Sequence, residues 1–216
     1  MKLTYGSIAM LFLFSGIKTA EAQLTVNGSL TPQQLVTTVL VGNGVTTSNI
    51  TYTGAPAAIG EFTATNTNLG IGYGVLMTCG DIINAPGPNN QTGASVSNNL
   101  VGDPDLDTIM SPTLSYDASL LEFDFITNGD SVQFRYVFAS EEYMEYVSSF
   151  PGGINDGFGF FLSGPGIVGP FQNNAINLAI IPNTTLPVTM FNVNCISPNS
   201  AYYVCNDPQN TACNTN

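Results

Sequence analysis

Residues 121–138 read Leu121-Glu122-Phe123-Asp124-Phe125-Ile126-Thr127-Asn128-Gly129-Asp130-Ser131-Val132-Gln133-Phe134-Arg135-Tyr136-Val137-Phe138. Apolar and polar side chains alternate on both sides of Asn128-Gly129, the pattern of two half-buried strands joined by a tight turn. A two-residue turn places Glu122 opposite Arg135, whereas a four-residue loop would place Asp124 there. The pattern therefore predicts a β-hairpin.

Further short apolar runs, separated by Gly, Pro and Asn, surround this hairpin. We predict strands over residues 50–53, 57–64, 74–78, 158–162, 176–181 and 188–193. Many short strands with such turns indicate an all-β fold, an antiparallel β-sandwich of jelly-roll type. Residues 23–216 are long enough for one such domain with its own core.

One short N-terminal helix is also predicted. Thr31 is a suitable N-cap, Pro32 suits the first helical position, and Gln34 completes a capping box. An apolar stripe follows, and Gly42 can end the helix.

Residues 1–22 have the pattern of a secretion signal. A charged start at Lys2 precedes an apolar run over residues 8–14, and Ala20-Glu21-Ala22 is a small-residue cleavage site. The apolar run is too short to span a membrane, so we expect export without membrane insertion once the signal is removed.

Charge limits the partners of the exported chain. Removal of residues 1–22 takes away both lysines and Glu21, leaving Arg135 against 14 acidic residues and a net charge near −13. Such a surface excludes nucleic acid and anionic lipid as partners. It favours divalent cations, neutral glycans or another protein.

Four cysteines, Cys79, Cys195, Cys205 and Cys213, follow the signal, and export permits disulfides. Their spacing, without any histidine, fits a zinc site poorly. Three pairings are open; Cys195 with Cys205 closes a short loop, and Cys79 with Cys213 would then tie the C-terminus to the core.

Four phrases of the sequence carry a family resemblance: Gly74-Val75-Leu76-Met77-Thr78-Cys79-Gly80, Asp117-Ala118-Ser119-Leu120-Leu121-Glu122-Phe123-Asp124-Phe125, Phe134-Arg135-Tyr136-Val137-Phe138-Ala139-Ser140-Glu141-Glu142-Tyr143 and Asn155-Asp156-Gly157-Phe158-Gly159-Phe160-Phe161-Leu162-Ser163-Gly164-Pro165-Gly166. In this order they resemble the choice-of-anchor L domain of bacterial surface proteins. The resemblance implies an exported, surface-displayed domain with no established enzymatic activity. In that family the domain runs on past the region represented by Asn192-Val193-Asn194-Cys195, so we expect a C-terminally incomplete piece.

Two acidic clusters are candidate metal sites, because Ca²⁺ prefers converging carboxylate and amide oxygens. Glu141 and Glu142 end the second predicted hairpin strand, before a Gly-rich loop that carries Asn155 and Asp156. With almost no basic residues nearby, converging carboxylates repel one another unless they are protonated or bind a metal. We therefore predict a Ca²⁺ site at these four residues.

The second cluster extends this prediction. Asp103, Asp105 and Asp107 alternate along one segment and could add oxygen ligands to the same ion. The segment is not an EF-hand, because Thr108 stands where that loop needs glycine and Leu114 where it needs glutamate. A solvated acidic loop is the alternative interpretation.

Together these features predict a bacterial module, secreted or displayed at the cell surface, that acts in adhesion or in cell-surface or matrix architecture and is stabilised by Ca²⁺. We expect no enzymatic activity; its partners would be an extracellular protein or a glycan, with self-association through an exposed strand edge as a further route. One alternative is a glycan-binding module with exposed tyrosines beside the acidic cluster: Tyr143, Tyr146, Tyr202 or Tyr203. A carboxylate-dependent glycoside hydrolase is the other alternative, although no pair of carboxylates has a defined separation.

Overall fold

The computed structural model describes residues 23–87, 96–140, 144–147 and 154–205. The predicted signal at residues 1–22 lies outside these ranges. The strands are β1 (Gln23–Asn27), β2 (Val45–Thr53), β3 (Ile59–Thr65), β4 (Tyr73–Met77), β5 (Leu120–Thr127), β6 (Gly157–Phe158), β7 (Phe161–Leu162), β8 (Ile176–Asn177) and β9 (Val188–Thr189). The helices are α1 (Pro32–Gln34), which continues as a π-helical turn (Leu35–Leu40), α2 (Pro104–Met110) and α3 (Met144–Val147). Short 3₁₀ turns lie at Pro56–Ala58, Ile82–Asn84, Gln172–Asn174 and Ser200–Tyr202.

All strand pairs among the described residues are antiparallel. They form one three-stranded sheet in the order β1-β3-β4 and three two-stranded sheets, β2-β5, β6-β9 and β7-β8. The prediction of a mostly β, antiparallel fold is therefore confirmed. No helix in the described part of the chain is long and apolar enough to cross a membrane.

The first helix forms as its capping signal predicts. The Gln34 amide donates to the Thr31 hydroxyl at 3.2 Å, and the Thr31 amide donates to the Gln34 side chain at 2.9 Å. Leu35 and Val36, the first apolar residues after the cap, are fully buried. The capping box thus begins a helical segment whose apolar face packs into the protein.

The three-stranded sheet is centred on β3. Phe62 of β3 lies opposite Gly74 of β4, and a β-carbon added to Gly74 would lie only 3.0 Å from the Phe62 ring. The absence of a side chain at Gly74 therefore lets the largely buried Phe62 ring cross the neighbouring strand.

The prediction that residues 121–138 form a hairpin is wrong, because the two halves of this segment do not pair with each other. Its first half forms β5, but β5 pairs with β2, so that Phe125 faces Thr47 and Glu122 faces Thr51. Residues 128–140 form no strand in the structure, and Arg135 donates to the Gly70 carbonyl at 2.6 Å instead of facing a carboxylate. Alternation correctly indicates which side chains share a face, but it does not determine which strand lies alongside.

The β2-β5 pair is irregular at one point. A β-bulge interrupts the register between Ser48 and Thr51, where Asn49 has a left-handed backbone with φ of 52°. The Asn49 amide group donates to the Asp124 carboxylate at 2.6 Å across the pair. Asn is one of the few residues that tolerates this conformation, so the side chain stabilises the bulge that its backbone creates.

The main core cluster is built from the C-terminal half of the described chain. Ala179, Ile181 and Val188 are buried. Four partly buried hydrophobic residues pack against them: Phe138, Phe158, Phe160 and Val193. The segments that contain the predicted metal ligands Asn155 and Asp156 therefore lead directly into the core.

Candidate functional site

Asp103, Asp105 and Asp107 lie at the beginning of helix α2 and not in a solvated loop. Asp103 is its N-cap: its carboxylate accepts hydrogen bonds from the amides of Asp105 at 2.9 Å and Leu106 at 3.1 Å. Pro104 occupies the first turn, as in the first helix. The alternating carboxylates therefore do not line one side of an extended segment, because successive helical residues are rotated by about 100°.

Ser115 joins two of these aspartates. Its hydroxyl accepts from the Asp103 amide at 2.8 Å and donates to the Asp107 carboxylate at 2.6 Å. The Ser115 amide donates to the same Asp107 oxygen, also at 2.6 Å. These two bonds from Ser115, first that of its hydroxyl and then that of its amide, hold the pKa of Asp107 below its ordinary value.

Asp105 has a different partner. Its two carboxylate oxygens accept from the backbone amide of Gln172 at 3.1 and 3.2 Å, so the helix holds the loop that follows β7. Each of the three aspartates thus accepts hydrogen bonds from amide groups. Their carboxylates hold the local backbone in place and are directed to different groups.

Asn155 and Asp156 are placed together just before β6. The Asn155 side chain is buried and accepts from the Phe191 amide at 3.2 Å, while the Asp156 carbonyl accepts from the Met190 amide at 2.9 Å. The Ser140 hydroxyl donates to the Asp156 carboxylate at 2.5 Å. Three separate segments of the chain therefore meet at Asp156.

Burial dominates the electrostatics of Asp156. Loss of solvent raises the pKa of its carboxyl above the ordinary value, and the hydrogen bond from Ser140 opposes that rise only in part. A partly dehydrated carboxylate is costly when charged, and a neighbouring cation would remove that cost. The surroundings of Asp156 thus favour either a proton or a cation.

The two predicted clusters lie on neighbouring elements. Met110, at the end of α2, packs against Gly157, the first residue of β6: a β-carbon added to Gly157 would lie 2.7 Å from Met110 Cγ. The structure therefore brings α2 next to the segment that carries Asn155 and Asp156. The α2 carboxylates bond to Ser115, Gln172 and their own helix, and among the described residues none of these partners also bonds to Asp156.

The complete Ca²⁺ site stays a prediction. Glu141 and Glu142 lie outside the described residues, as do the pairing of Cys213 and the surroundings of Tyr143. Among the residues that the structure describes, no group of three or more His, Cys, Asp or Glu side chains is arranged to hold a metal ion. Of the other tyrosines proposed for glycan contact, Tyr202 is 49% exposed and Tyr146 and Tyr203 are half-buried.

Two serines contribute to these contacts without a signal in the sequence. Ser115 is eight residues from Asp107, and Ser140 is 16 residues from Asp156, so neither pair has a local spacing that would reveal it. The helix at residues 104–110 did have a signal, because Asp103-Pro104 repeats the pattern of an N-cap followed by proline seen at Thr31-Pro32.

Comparison with known proteins gives a family but no individual relative. No curated protein and no solved structure matches the chain. The family model for the choice-of-anchor L domain matches residues 25–216, nearly the whole sequence. The chain therefore belongs to the choice-of-anchor L domain family.

Proposed function

We propose that this protein is a non-enzymatic module of the bacterial cell surface that acts in adhesion or in surface or matrix architecture. Family membership over residues 25–216 is the observation that carries the proposal, since the family implies a bacterial surface or exported protein. A jelly-roll-like sandwich, to which the antiparallel sheets would belong, is part of the same proposal. Such modules bind through loops and edges on a rigid β scaffold.

Export is the first part of the proposal to test. The full chain and a variant lacking residues 1–22 would be expressed in a bacterium, and the cytoplasmic, envelope and medium fractions would be probed separately. We expect the full chain in the envelope or medium, with Gln23 as its first residue by N-terminal sequencing. Retention of the full-length chain in the cytoplasm would contradict the proposal.

We further propose that Ca²⁺ stabilises the exported chain at Glu141, Glu142, Asn155 and Asp156. Support comes from Asp156, whose burial penalises its charged form, and from Asn155, which lies beside it. A hard cation accepts such oxygen ligands and would offset that electrostatic cost. Asp103, Asp105 and Asp107 would contribute by holding α2 in place, because their oxygens already accept hydrogen bonds from the amides of the helix, Gln172 and Ser115.

Thermal melts in millimolar Ca²⁺ and in EDTA test this site. An ion that binds only the folded state raises the melting midpoint by mass action. At an ion concentration of 100 times the dissociation constant, the free energy of unfolding increases by about 2.7 kcal/mol. We expect that rise in the unmodified protein and its loss in Glu142→Gln and Asp156→Asn. Glu122→Gln, on the exposed side of β5, is the matched control and should keep it.

The outcomes of these melts separate the alternatives. Equal midpoints in Ca²⁺ and EDTA would remove calcium from the proposal without affecting surface display. If the protein hydrolyses an oligosaccharide, and Glu142→Gln loses this activity while its melting curve is unchanged, the protein is a glycosidase and not a structural module.

A further inference from the structure

Residues 131–139 have an unusual surface for a segment in an antiparallel fold. Phe134 and Phe138 are half-buried, whereas the other residues of the segment are exposed, among them Tyr136 at 42% and Val137 at 49%. The sequence alternation of a strand is present, but no strand forms there. The segment therefore has the side chains of a sheet edge but no sheet partner among the residues that the structure describes.

The backbone of this segment is also unpaired in the described part of the chain. No N–H or C=O group of residues 131–139 takes part in a hydrogen bond there. Exposed backbone groups of this kind are satisfied by water, and a row of them is a template for another extended chain.

Aromatic contacts show how the segment runs. The Phe134 and Phe160 rings lie 4.5 Å apart, and the Tyr136 and Phe158 rings lie 5.0 Å apart. Two steps forward along one segment thus match two steps backward along the other, so the two segments run in opposite directions, but no backbone hydrogen bond joins them in the part of the chain that the structure describes. The segment is anchored to the core by one row of rings while its other side chains face solvent.

A groove of about 280 Å³ runs beside it, lined by residues 69–71 and 134–137. Arg135 lies in this groove and donates from Nη2 to the Gly70 carbonyl at 2.6 Å, which orients the guanidinium. Its other donors bond to no residue that the structure describes, and no described lining residue is acidic. Arg135 is also the only Lys or Arg in residues 23–216.

We propose that residues 131–139 bind an extended, acidic segment of an extracellular partner protein by strand addition, with a partner carboxylate on Arg135. The unpaired backbone groups would supply main-chain hydrogen bonds, as in other strand-addition complexes. The groove would take an apolar side chain next to the carboxylate, and the Arg135 fork would bind that carboxylate with charge-assisted bonds. This deepens the proposed surface function and rests on it for the extracellular location of the partner.

The observations favour this occupant over two others. A glycan would leave the row of backbone donors and acceptors without matching partners at strand spacing. A second copy would bring together two whole chains, each with 14 acidic residues against one arginine, and their repulsion opposes association. A short segment brings only a few carboxylates, one of which Arg135 neutralises, so repulsion opposes it less.

The test titrates the isotope-labelled exported protein with three capped five-residue peptides and follows backbone amide and arginine side-chain NMR signals. The first peptide alternates valine and glutamate, the second has glutamine in place of glutamate, and the third is the first with N-methylated backbone amides. We expect the first to shift the amides of residues 131–139 and the Arg135 signal. The other two should bind about tenfold more weakly, the loss expected for removing charge-assisted or main-chain hydrogen bonds.

Arg135 variants provide the matched control. In Arg135→Gln the glutamate and glutamine peptides should bind equally, whereas Arg135→Lys should keep part of the preference because it keeps the charge. The amide spectrum of each variant, outside residues 131–139, shows whether it is folded.

Three results would overturn the inference: no shifts at millimolar peptide, equal binding of glutamate and glutamine peptides to the unmodified protein, or shifts confined to other residues. Shifts of residues 131–139 that depend on protein concentration alone would identify a second copy as the occupant and also reject the partner proposed here. Cell fractionation is unaffected by any of these results, so failure of the groove and failure of surface display are distinguishable.

Discussion

At the scale of single residues, Ser115 does most to hold the acidic segment in its shape. Ser115 is buried, and its hydroxyl both accepts a hydrogen bond from the Asp103 amide and donates one to the Asp107 carboxylate. A carboxylate held by hydrogen bonds from serine is stabilised in its charged form. Asp103 and Asp107, which the sequence predicts as metal ligands, thereby hold the first turns of α2 in place.

Replacement of Ser115 by alanine should lower the free energy of unfolding by about 1–3 kcal/mol, because the amide of the buried Asp103 loses its hydrogen-bond partner. Urea unfolding at neutral pH measures the change. Ser131→Ala, at an exposed position, should change it by no more than about 0.5 kcal/mol. Equal effects of the two substitutions would show that the Ser115 contacts contribute nothing specific.

Asp156 should give stability a pH dependence of opposite sign to that of a well-solvated, hydrogen-bonded carboxylate. Its folded pKa is raised by burial, so the folded state holds more protons than the unfolded state between the two pKa values. The free energy of unfolding therefore falls as pH rises through that window. Asp107, whose pKa is lowered, instead loses its stabilising contribution as pH falls through its folded pKa.

Asp156→Asn should therefore flatten the fall in stability with rising pH and should not destabilise the protein at neutral pH in EDTA. Denaturant midpoints from acid to neutral pH measure this effect, with the exposed Asp130→Asn as control. A variant that is less stable at neutral pH, with the slope unchanged, would show that burial does not govern this carboxyl.

At the scale of elements, α2 is placed by close backbone approach as well as by its cap. Gly102 precedes the N-cap, and a β-carbon there would overlap the carbonyl oxygen and hydroxyl of Ser115. Backbone atoms cannot move aside as the end of a flexible side chain can. Only glycine at this position lets the chain pass Ser115 and begin the helix.

Gly102→Ala should therefore destabilise the protein by about 1–3 kcal/mol, the usual cost of forcing extra atoms into a packed site. Gly42→Ala is the matched control, because nothing lies within 4 Å of its added β-carbon. That control should be neutral or slightly stabilising, since alanine restricts the unfolded chain. Thermal unfolding followed by circular dichroism compares the two, and similar midpoints would contradict the close approach.

At the scale of the whole molecule, the core joins segments that are far apart in sequence. The buried cluster consists of Ala179, Ile181 and Val188, and Phe138 and Phe158 pack onto it. Residues on both sides of Asn155 and Asp156 therefore share one core with the C-terminal part of the described chain. The shared packing couples the position of residues 154–158 to the stability of the C-terminal sheets.

Ile181→Ala should lower the free energy of unfolding by about 2–5 kcal/mol, because Ile181 is 1% exposed and its removal leaves a cavity. Val168→Ala, at a side chain that is 85% exposed, should change stability by less than about 0.5 kcal/mol. Urea denaturation with an unchanged slope is the measurement. A small effect at Ile181 would mean that this cluster is not the core that holds the sheets together.

The sequence by itself determined the features that depend on neighbouring residues. Short apolar runs bounded by turn residues predict strands where β3 and β4 form, and alternation predicts β5. The Thr31–Gln34 capping box begins a helix, and four sequence segments in order identify the family. Asp103-Pro104 carries a helix signal of the same local kind, although the acidic spacing of the segment also matches a metal-binding loop.

Only the tertiary structure decided which distant groups meet. β5 pairs with β2, which precedes it by more than 60 residues, and the lone Arg135 bonds to the carbonyl of Gly70. Asp105 holds the amide of Gln172, and Ser140 holds Asp156. Alternation and charge describe what each segment can offer, but the partner depends on how all segments pack around one core, and no local pattern contains that information.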